Sequence, residues 1–412
     1  MRLKKLRGKK ILILGFGTEG KATLKFLKRK VSKIKVDISD KAMDKNYLDK
    51  QKKYDLVIKT PGIPKKNIFI PYTTATNIFF ANTKNRTIGV TGSKGKSTTA
   101  SLIFWILKQA GIRAHLIGNI GKPMLEELLK PVRPDDIFVL ELSSYQLDDI
   151  QYSPHISVIL NIFPEHMDYH DGVTNYYRAK KNIIANVKKN DYFIYNPLYK
   201  ELRQLAKTVV CKSIRFVKKV PINSNEIPLL GSHNLDNIRA AVTVARLLNI
   251  PDEKIKHAIK SFKALPHRLE FVGTYRGIKF YDDAISTTPE STIAAIKTLK
   301  NIGTLFLGGK NRGYDFSNLV DLIKTYQIKN LVLFPDSGKE ILELLRSKNH
   351  HMPKVYQTDN MENAIKFAFK NTPKGKICLL STASPSYSLW KNFEEKGEQF
   401  QFFVKKYKIP RS

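Results

Sequence analysis

The chain has 412 residues and a formal net charge of +35, from 71 Lys and Arg against 36 Asp and Glu. Hydrophobic residues make up 42% and charged residues 26% of the chain, which is ordinary globular usage and excludes a largely disordered protein. No apolar run approaches bilayer-spanning length, the basic N-terminus lacks the apolar core of a secretory signal, and two distant cysteines exclude a disulfide framework. These features predict a cytoplasmic, multidomain protein with no membrane association.

The positive charge does not by itself indicate a nucleic-acid-binding protein. Lysines are spread along the whole chain, and neither zinc-finger spacing nor an aromatic RNA-binding motif accompanies them. The charge predicts solubility and attraction of small anions, with no specific nucleic-acid partner. A basic nucleic-acid-binding module built on a phosphate loop remains the alternative from another class.

Three segments of the chain each open with a strand-like apolar run and then alternate strand and helix patterns. This alternation is typical of βαβ units and mostly parallel sheets. The sequence therefore predicts an α/β fold with three domains at residues 1–85, 86–265 and 266–412. The first and last are expected to be Rossmann-like, and the central one to resemble a phosphate-loop ATPase.

The first segment carries a glycine-rich turn after its first strand. Gly15, Gly17 and Gly20 would let backbone amides approach a pyrophosphate at the start of the following helix. About 20 residues on, Asp37 and Asp40 follow a second strand and could accept hydrogen bonds from a ribose. Such a turn could bind either NAD or a nucleoside diphosphate, and these residues do not distinguish between the two ligands.

The second segment contains TGSKGKSTT at residues 91–99, between an apolar strand and a helical pattern. This is the context of a phosphate-binding loop, although Val90 stands where the usual motif has glycine. Lys96 would reach the outer phosphates and the Ser97 hydroxyl would ligate Mg²⁺. The predicted nucleotide-binding residues here are Gly92, Ser93, Lys94, Gly95, Lys96, Ser97 and Thr98.

Polar residues follow the next strands of this segment. Glu141 ends one apolar strand, Asn161 and His166 follow another, and a helical pattern then places Lys180 beside Lys181. Strand ends behind a phosphate loop are suitable places for the oxygen ligands of Mg²⁺. The order of these residues therefore predicts a metal-dependent nucleotide site.

The chain resembles the Mur ligases, an ATP-dependent family that forms peptide bonds in cell-wall precursors. The resemblance covers essentially the whole chain, and its last two motifs are typical of the glutamate-adding member. TPGIP, at residues 60–64, favours UDP as the ligand of the first segment. The other motifs, in chain order, are TGSKGKSTT, GNIGKP, ELSSYQL, NIFPEHMD, YRAKKNI, GSHNLDNIRAA, LPHRLE, LGGKNRGYDF and SPSYSLWKNFEEKGEQF.

This resemblance implies a ligase that joins D-glutamate to UDP-N-acetylmuramoyl-L-alanine through an acyl phosphate, releasing ADP and phosphate. It implies ATP and two Mg²⁺ ions as cofactors, small-molecule substrates as the only partners, and a monomer. Lys96, Glu141, His166 and Lys180 would be catalytic, and Ser97, Glu141, His166 and Lys180 would serve the metal. Lys180 would be carbamylated, with Lys181 as the alternative by one residue.

The resemblance also implies three groups of binding residues. ATP would be contacted by Asn234, Asn237, Arg268 and Asp283. The UDP-linked substrate would be contacted by Gly17, Thr18, Asp40, Thr60, Pro61, Gly62 and Asn119. Glutamate would be contacted by Arg312, Ser386, Tyr387 and Phe393.

The chain departs from the family pattern in the third segment. Ile285 stands where the family has a lysine, and Ala284 where it has a serine, so a neighbour such as Lys310 would have to replace the lost cation. The loss of this lysine leaves a non-catalytic relative, which binds the UDP-linked substrate without converting it, as one alternative. A sister ligase with another acceptor, such as a folate polyglutamate synthase, is a second alternative, against which the UDP features of the first segment and the glutamate motifs of the third argue.

Overall fold

The computed structural model describes residues 1–164, 167–348 and 352–409, apart from the side chains of residues 167, 168, 224, 232 and 233. The chain divides into two compact units, one formed by Met1–Pro228 with His233–Phe262, the other by Leu229–Ser232 with Lys263–Ser412. No helix in the described part of the chain is long and apolar enough to cross a membrane. Three mostly parallel sheets confirm the predicted α/β class, while the three domain boundaries stay predictions.

The first unit begins with a four-stranded parallel sheet in the order β2-β1-β3-β4. The buried residues of its central strands β1 and β3 explain the apolar runs of this segment, because central parallel strands are covered on both sides. Strands β1–β4 are Lys10–Leu14, Lys35–Ser39, Leu56–Lys59 and Tyr72–Thr74, and helices α1 and α2 are Thr18–Lys30 and Ala75–Asn82.

The first unit also contains a six-stranded parallel sheet in the order β10-β9-β8-β5-β7-β6. The strand order reverses on either side of β5, which creates the crevice where open α/β sheets bind ligands. Strands β5–β10 are Arg86–Thr91, Ala114–Gly118, Ile137–Glu141, Ile156–Ile159, Tyr192–Tyr195 and Lys212–Arg215. Helices α3–α10 are Lys96–Gln109, Met124–Glu127, Ser144–Leu147, Met167–His170, Val173–Lys181, Lys200–Leu205, Ser232–Leu247 and Asp252–Ser261.

The second unit is built on another six-stranded sheet, in the order β11-β12-β16-β13-β14-β15. Its edge strand β11 is antiparallel to β12, and the other pairs are parallel. Strands β11–β16 are Glu270–Tyr275, Ile278–Asp282, Ile302–Gly309, Asn330–Asp336, Lys354–Gln357 and Ile377–Leu380. Helices α11–α15 are Pro289–Leu299, Ser317–Thr325, Ser337–Ser347, Met361–Asn371 and Phe393–Lys406.

A continuous apolar core joins the two sheets of the first unit. Phe79 of α2 packs edge-on against Phe138 of β7, with ring centroids 5.1 Å apart. Lys59, at the end of β3, is buried and pairs with Asp149 at 2.6 Å. The carboxyl ends of β1 and β5, where the two predicted phosphate-binding turns lie, are therefore held within one unit.

Candidate active site

The predicted phosphate loop lies at the carboxyl end of β5 and runs directly into α3. Gly95 has φ +86°, and a Cβ there would lie 2.2 Å from Oδ1 of Asn237. A left-handed backbone at a crowded position requires glycine. The helix begins at Lys96, so its first free amides face the loop, as anion binding at a helix N-terminus requires.

Asn161, which follows β8, holds the phosphate loop from the other side of the crevice. Its side-chain amide accepts a bond from the Lys94 amide at 2.9 Å and donates to the Lys94 carbonyl at 3.0 Å. The Ser93 amide donates to the Asn161 carbonyl at 3.1 Å, and the Ser93 hydroxyl donates to the Phe163 carbonyl at 2.8 Å. These bonds fix the loop's backbone before any ligand arrives.

Two lysine side chains converge on this loop. The Lys96 ammonium donates to the carbonyls of Gly92 at 3.0 Å and Ser93 at 2.9 Å. Lys180, on α7 and only 1% exposed, donates to the Gly92 carbonyl at 2.8 Å. Its ammonium lies 4.8 Å from the ring of Tyr176, whose hydroxyl donates to the Ser93 hydroxyl at 3.0 Å. Both amines are thus positioned at the predicted phosphate loop.

Lys181, the alternative to Lys180, lies elsewhere on α7. It lines a surface cavity of about 730 Å³ together with Val209 and Leu205. The contact with the phosphate loop made by Lys180 favours that residue for a role at the nucleotide.

Glu141 ends β7 and is buried beside the loop, at 1% exposure. Its Oε1 accepts from the Asn119 side-chain amide at 2.9 Å, so two residues predicted for different ligands contact each other. Among the described residues its Oε2 has no hydrogen-bond partner. A buried, unpartnered carboxylate oxygen is costly unless a cation or donor meets it, which fits a divalent ion. His166 lies outside the described residues.

Asn234 and Asn237, predicted to contact the nucleotide, lie on α9 behind the phosphate-loop helix. Asn237 donates to the Asn234 side-chain oxygen at 2.8 Å and accepts from the Thr99 hydroxyl at 3.2 Å. Asn237 therefore links α9 to α3 as well as crowding Gly95.

The residues predicted to bind the UDP group meet at the carboxyl end of the first sheet. Asp40 accepts from the backbone amides of Ala42 at 2.8 Å and Phe16 at 2.6 Å, and these two bonds hold the pKa of its carboxyl below the usual range. Thr60 donates from its hydroxyl to the Leu14 carbonyl at 3.0 Å. Gly15 has φ +91°, and a Cβ there would strike the Thr60 hydroxyl at 1.9 Å.

The remaining residues of this group lie around that turn. Gly17 and Thr18 are exposed at the start of α1, and Gly62 is exposed in the turn after β3. The Pro61 carbonyl accepts from the Tyr169 hydroxyl at 3.0 Å. The turn thus presents open backbone next to Asp40 and Thr60.

In the second unit, the residues predicted for glutamate lie on two adjacent loops and on α15. Arg312 is exposed on the loop after β13, and Ser386 lies on the loop after β16. Ser386 is 3% exposed, and within the described chain its hydroxyl has no hydrogen-bond partner. Tyr387 is 62% exposed, and Phe393 is the half-buried first residue of α15.

Asp283, predicted to reach the nucleotide, is buried and already accepts three hydrogen bonds. They come from the Leu269 amide at 3.1 Å, the Ser286 hydroxyl at 2.5 Å and the Ser381 hydroxyl at 2.8 Å. Burial raises the pKa of this carboxyl to about 6. Arg268, its predicted companion, is half-buried.

Ile285 and Lys310 lie at different places in the second unit. The Ile285 amide donates to the His267 carbonyl at 3.2 Å. Lys310 is exposed beside Arg312, and its amide donates to the Pro385 carbonyl at 2.9 Å. A cation is therefore available on the loop that also carries Arg312.

Sequence reasoning missed residues that support these loops. The sequence places Asn161 after its strand, yet its bonds to the phosphate loop follow only from the sheet order that puts β8 beside β5. Lys396, Thr382 and Ser337 of the second unit were not identified. A signal existed for Lys396, which falls on the apolar stripe of α15 three residues after Phe393 and four before Phe400.

Comparisons with known proteins find matches along most of the chain. Residues 90–226 match the family described as Mur ligase middle domain, and residues 267–383 match the Mur ligase, glutamate ligase domain. The UDP-N-acetylmuramoylalanine–D-glutamate ligase of Ligilactobacillus salivarius is 30% identical, and the alignment covers 98% of each chain. The protein of the same name from Streptococcus mutans is 30% identical over 97% of each chain.

Solved structures share the fold. The MurF ligase of Thermotoga maritima, solved in complex with ADP, aligns with a TM-score of 0.65 at 17% identity, covering 98% of this chain and 97% of that one. The UDP-N-acetylmuramate–alanine ligase MurC of the same organism aligns with a TM-score of 0.64 at 18% identity, covering 97% and 99%.

Proposed function

Because the chain belongs to the Mur ligase family, we propose that it is an ATP-dependent ligase of peptidoglycan precursor synthesis. It joins D-glutamate to UDP-N-acetylmuramoyl-L-alanine and releases ADP and phosphate. The observation that carries this proposal is the full-length similarity to relatives of that name, together with a phosphate loop on which Lys96 and Lys180 converge.

The chemistry follows from the weakness of a carboxylate as an electrophile. The γ-phosphoryl group of ATP moves to the alanyl carboxylate, and the amine of glutamate then attacks the acyl phosphate, which expels phosphate. Both steps gather negative charge, so positioning and cations supply most of the rate enhancement. Amides at the start of α3 and the Lys96 ammonium would hold the phosphates, and Asn119 would orient the UDP-linked substrate beside Glu141.

Magnesium fits the residues at this end of the sheet. Glu141 Oε2, which has no hydrogen-bond partner among the described residues, and the hydroxyl of Ser97 would hold one ion, which neutralises phosphate charge when bound. A second ion is proposed with His166 as a ligand. We expect Glu141→Gln to raise the magnesium concentration that gives half-maximal activity, while the exposed Glu253→Gln leaves it unchanged.

Lys180 is proposed to be carbamylated. The ammonium first loses a proton; carbon dioxide then adds to the neutral amine, a second proton is released, and the cation has become a carbamate anion whose carboxylate would face the metal. The side chain lies deep beside Gly92, which keeps bulk water away from the group. The proposal also includes a monomer in the cytoplasm, where ATP and UDP-linked sugars are available.

The first experiment measures phosphate release from ATP. We expect release only when both UDP-N-acetylmuramoyl-L-alanine and D-glutamate are present, with L-glutamate and other amino acids as controls. ATP hydrolysis at the same rate without one of the two substrates would contradict the proposal. A salt-sensitive complex with DNA or RNA that competes with ATP binding would favour the nucleic-acid alternative.

The second experiment tests Lys180 by chemical rescue. Lys180→Ala should be nearly inactive and should regain activity with added short carboxylic acids, which replace the lost carboxylate. Lys181→Ala is the matched control and should remain active without any addition. A folded Lys180→Ala protein that no carboxylic acid rescues would refute the carbamate.

A further inference from the structure

Lys396 is a fully buried lysine in the first turn of α15. Its Nζ donates to the Thr382 hydroxyl at 2.5 Å and lies 6.0 Å from the centre of the Trp390 ring. Burial lowers the pKa of Lys396 to about 7, although the charges of Asp282 and Asp283 oppose this shift. The ammonium and the neutral amine both carry N–H donors, so the bond to Thr382 persists in either form.

Burying an ionisable group this deeply costs stability, and an apolar side chain of similar volume would often be more stable. A lysine kept at such a place is therefore expected to serve something other than packing. The hydrogen-bond partner of Lys396, Thr382, indicates what this role is.

Thr382 is the second residue after β16 and is itself fully buried. Its hydroxyl donates to the Ser384 carbonyl at 3.1 Å, and its carbonyl accepts from the Gly308 amide at 2.9 Å. Thr382 thus connects Lys396 to the loop after β16 and to the glycine pair that ends β13. This glycine pair leads directly into the loop that carries Arg312.

The same two loops are joined at further points. The Lys310 amide donates to the Pro385 carbonyl at 2.9 Å. Ser337, buried at the start of α13, donates to the Gly309 carbonyl at 3.0 Å, and its hydroxyl lies 2.7 Å from that of Ser384. A Cβ at Gly309 would lie 2.4 Å from the Pro385 carbonyl, so the loops touch closely.

These loops carry Arg312 and Ser386, the proposed contacts for glutamate. Arg312 is exposed, whereas the Ser386 hydroxyl is buried, with no hydrogen-bond partner among described residues. A substrate that touches both needs the two loops at a set separation, and small misplacements of binding groups are costly.

We infer that Lys396 is a positioning residue for the amino-acid substrate. Through Thr382 it holds the loops that carry Arg312 and Ser386 at the separation that D-glutamate requires. This inference rests on the proposed function and names a residue that acts on the glutamate site without contacting glutamate.

The test compares Lys396→Met and Thr382→Val with the wild type. Each variant should raise the KM for D-glutamate about tenfold, the scale of a lost hydrogen bond to a charged group. The KM values for ATP and UDP-N-acetylmuramoyl-L-alanine should change less than twofold. Lys396→Met should melt at or above the wild-type temperature, because the change removes a desolvated amine.

A double variant separates the proposed route from a general disturbance. If Lys396 acts through Thr382, the double variant should bind glutamate no more weakly than either single variant. Lys405→Met, an exposed lysine of the same helix, is the matched control and should behave as wild type.

Each result decides the matter. A wild-type KM for D-glutamate in the Thr382→Val variant would overturn the inference. This test does not depend on whether the Lys396→Met variant folds. Equal increases in all three KM values with a lower melting temperature would show a merely structural role. A wild-type protein that makes no product from D-glutamate would instead refute the proposed function.

Discussion

The phosphate loop of the first unit and the loop after β16 in the second unit share a similar arrangement but differ in the groups that they offer to a ligand. Each follows the carboxyl end of a parallel strand, and each receives a hydrogen bond from a buried lysine, Lys180 in one and Lys396 in the other. Lys180 bonds a backbone carbonyl, whereas Lys396 bonds the side chain of Thr382.

This difference separates two ways of making a binding site. The phosphate loop offers backbone amides at a helix start, so its geometry depends on glycine and on spacing along the chain. The loop after β16 offers side chains, and its shape depends on partners from α13, α15 and β13 that lie far away in sequence. The predictions below test that distinction.

The largest effect is expected at the phosphate loop. Lys96→Ala should lower kcat about 10³-fold, because a positioned cation beside the transferring phosphoryl group stabilises the transition state. Lys108→Ala, in the exposed last turn of the same helix, is the control and should leave kcat unchanged. A kcat for Lys96→Ala within tenfold of wild type would show that the loop does not hold the nucleotide as proposed.

The buried amine of Lys396 should make stability depend on pH. Its pKa is about 7 in the folded chain and near 10.5 when unfolded, so between these values the unfolded chain binds the extra proton. The free energy of unfolding should therefore rise from pH 7 to pH 10 by roughly 2–4 kcal/mol more in the wild type than in Lys396→Met. Urea unfolding at the two pH values measures the difference.

Lys405→Met should keep the wild-type pH dependence, since its side chain is exposed. Parallel pH profiles for the wild type and Lys396→Met would mean that the amine is not desolvated in the folded protein.

Gly95→Ala should raise the KM for ATP about tenfold, because it adds strain at a positive φ and a clash with the Asn237 side chain. Gly111→Ala is the control for strain at the other end of the same helix: Gly111 has a similar φ of +84°, yet a Cβ there meets nothing within 4 Å, so the KM for ATP should not change. Initial rates at varied ATP measure the effect. Equal KM values for ATP in the two variants would show that the phosphate loop does not require glycine at position 95.

Ser386→Ala should raise the KM for D-glutamate about tenfold, because the polar groups of glutamate are all charged and the variant loses one hydrogen bond to a charged group. Its stability should not fall, because the hydroxyl has no partner within the described structure. Ser388→Ala removes a second buried hydroxyl that has no hydrogen-bond partner among the described residues. This variant should be as stable as Ser386→Ala and should leave the KM for D-glutamate unchanged. The same KM change in both variants would exclude Ser386 as a specific contact.

Much of this protein follows from local sequence pattern. The alternation of strands and helices indicated the α/β class, and the segment at residues 91–99 indicated the phosphate loop, Lys96 and the helix that begins there. Glu141 was placed at the end of its strand by the apolar run before it. Such features can be predicted from the sequence because they depend on residues that are neighbours along the chain.

Tertiary structure alone decided the rest. The strand order brings Asn161 and Glu141 to the two sides of β5, and the packing of α7 directs Lys180 rather than Lys181 towards Gly92. The partnership of Lys396 with Thr382 joins residues of a helix and a loop whose contact no local pattern encodes. Burial, and with it the energy of a charge or an unpaired hydroxyl, arises only when distant segments exclude water from the same place.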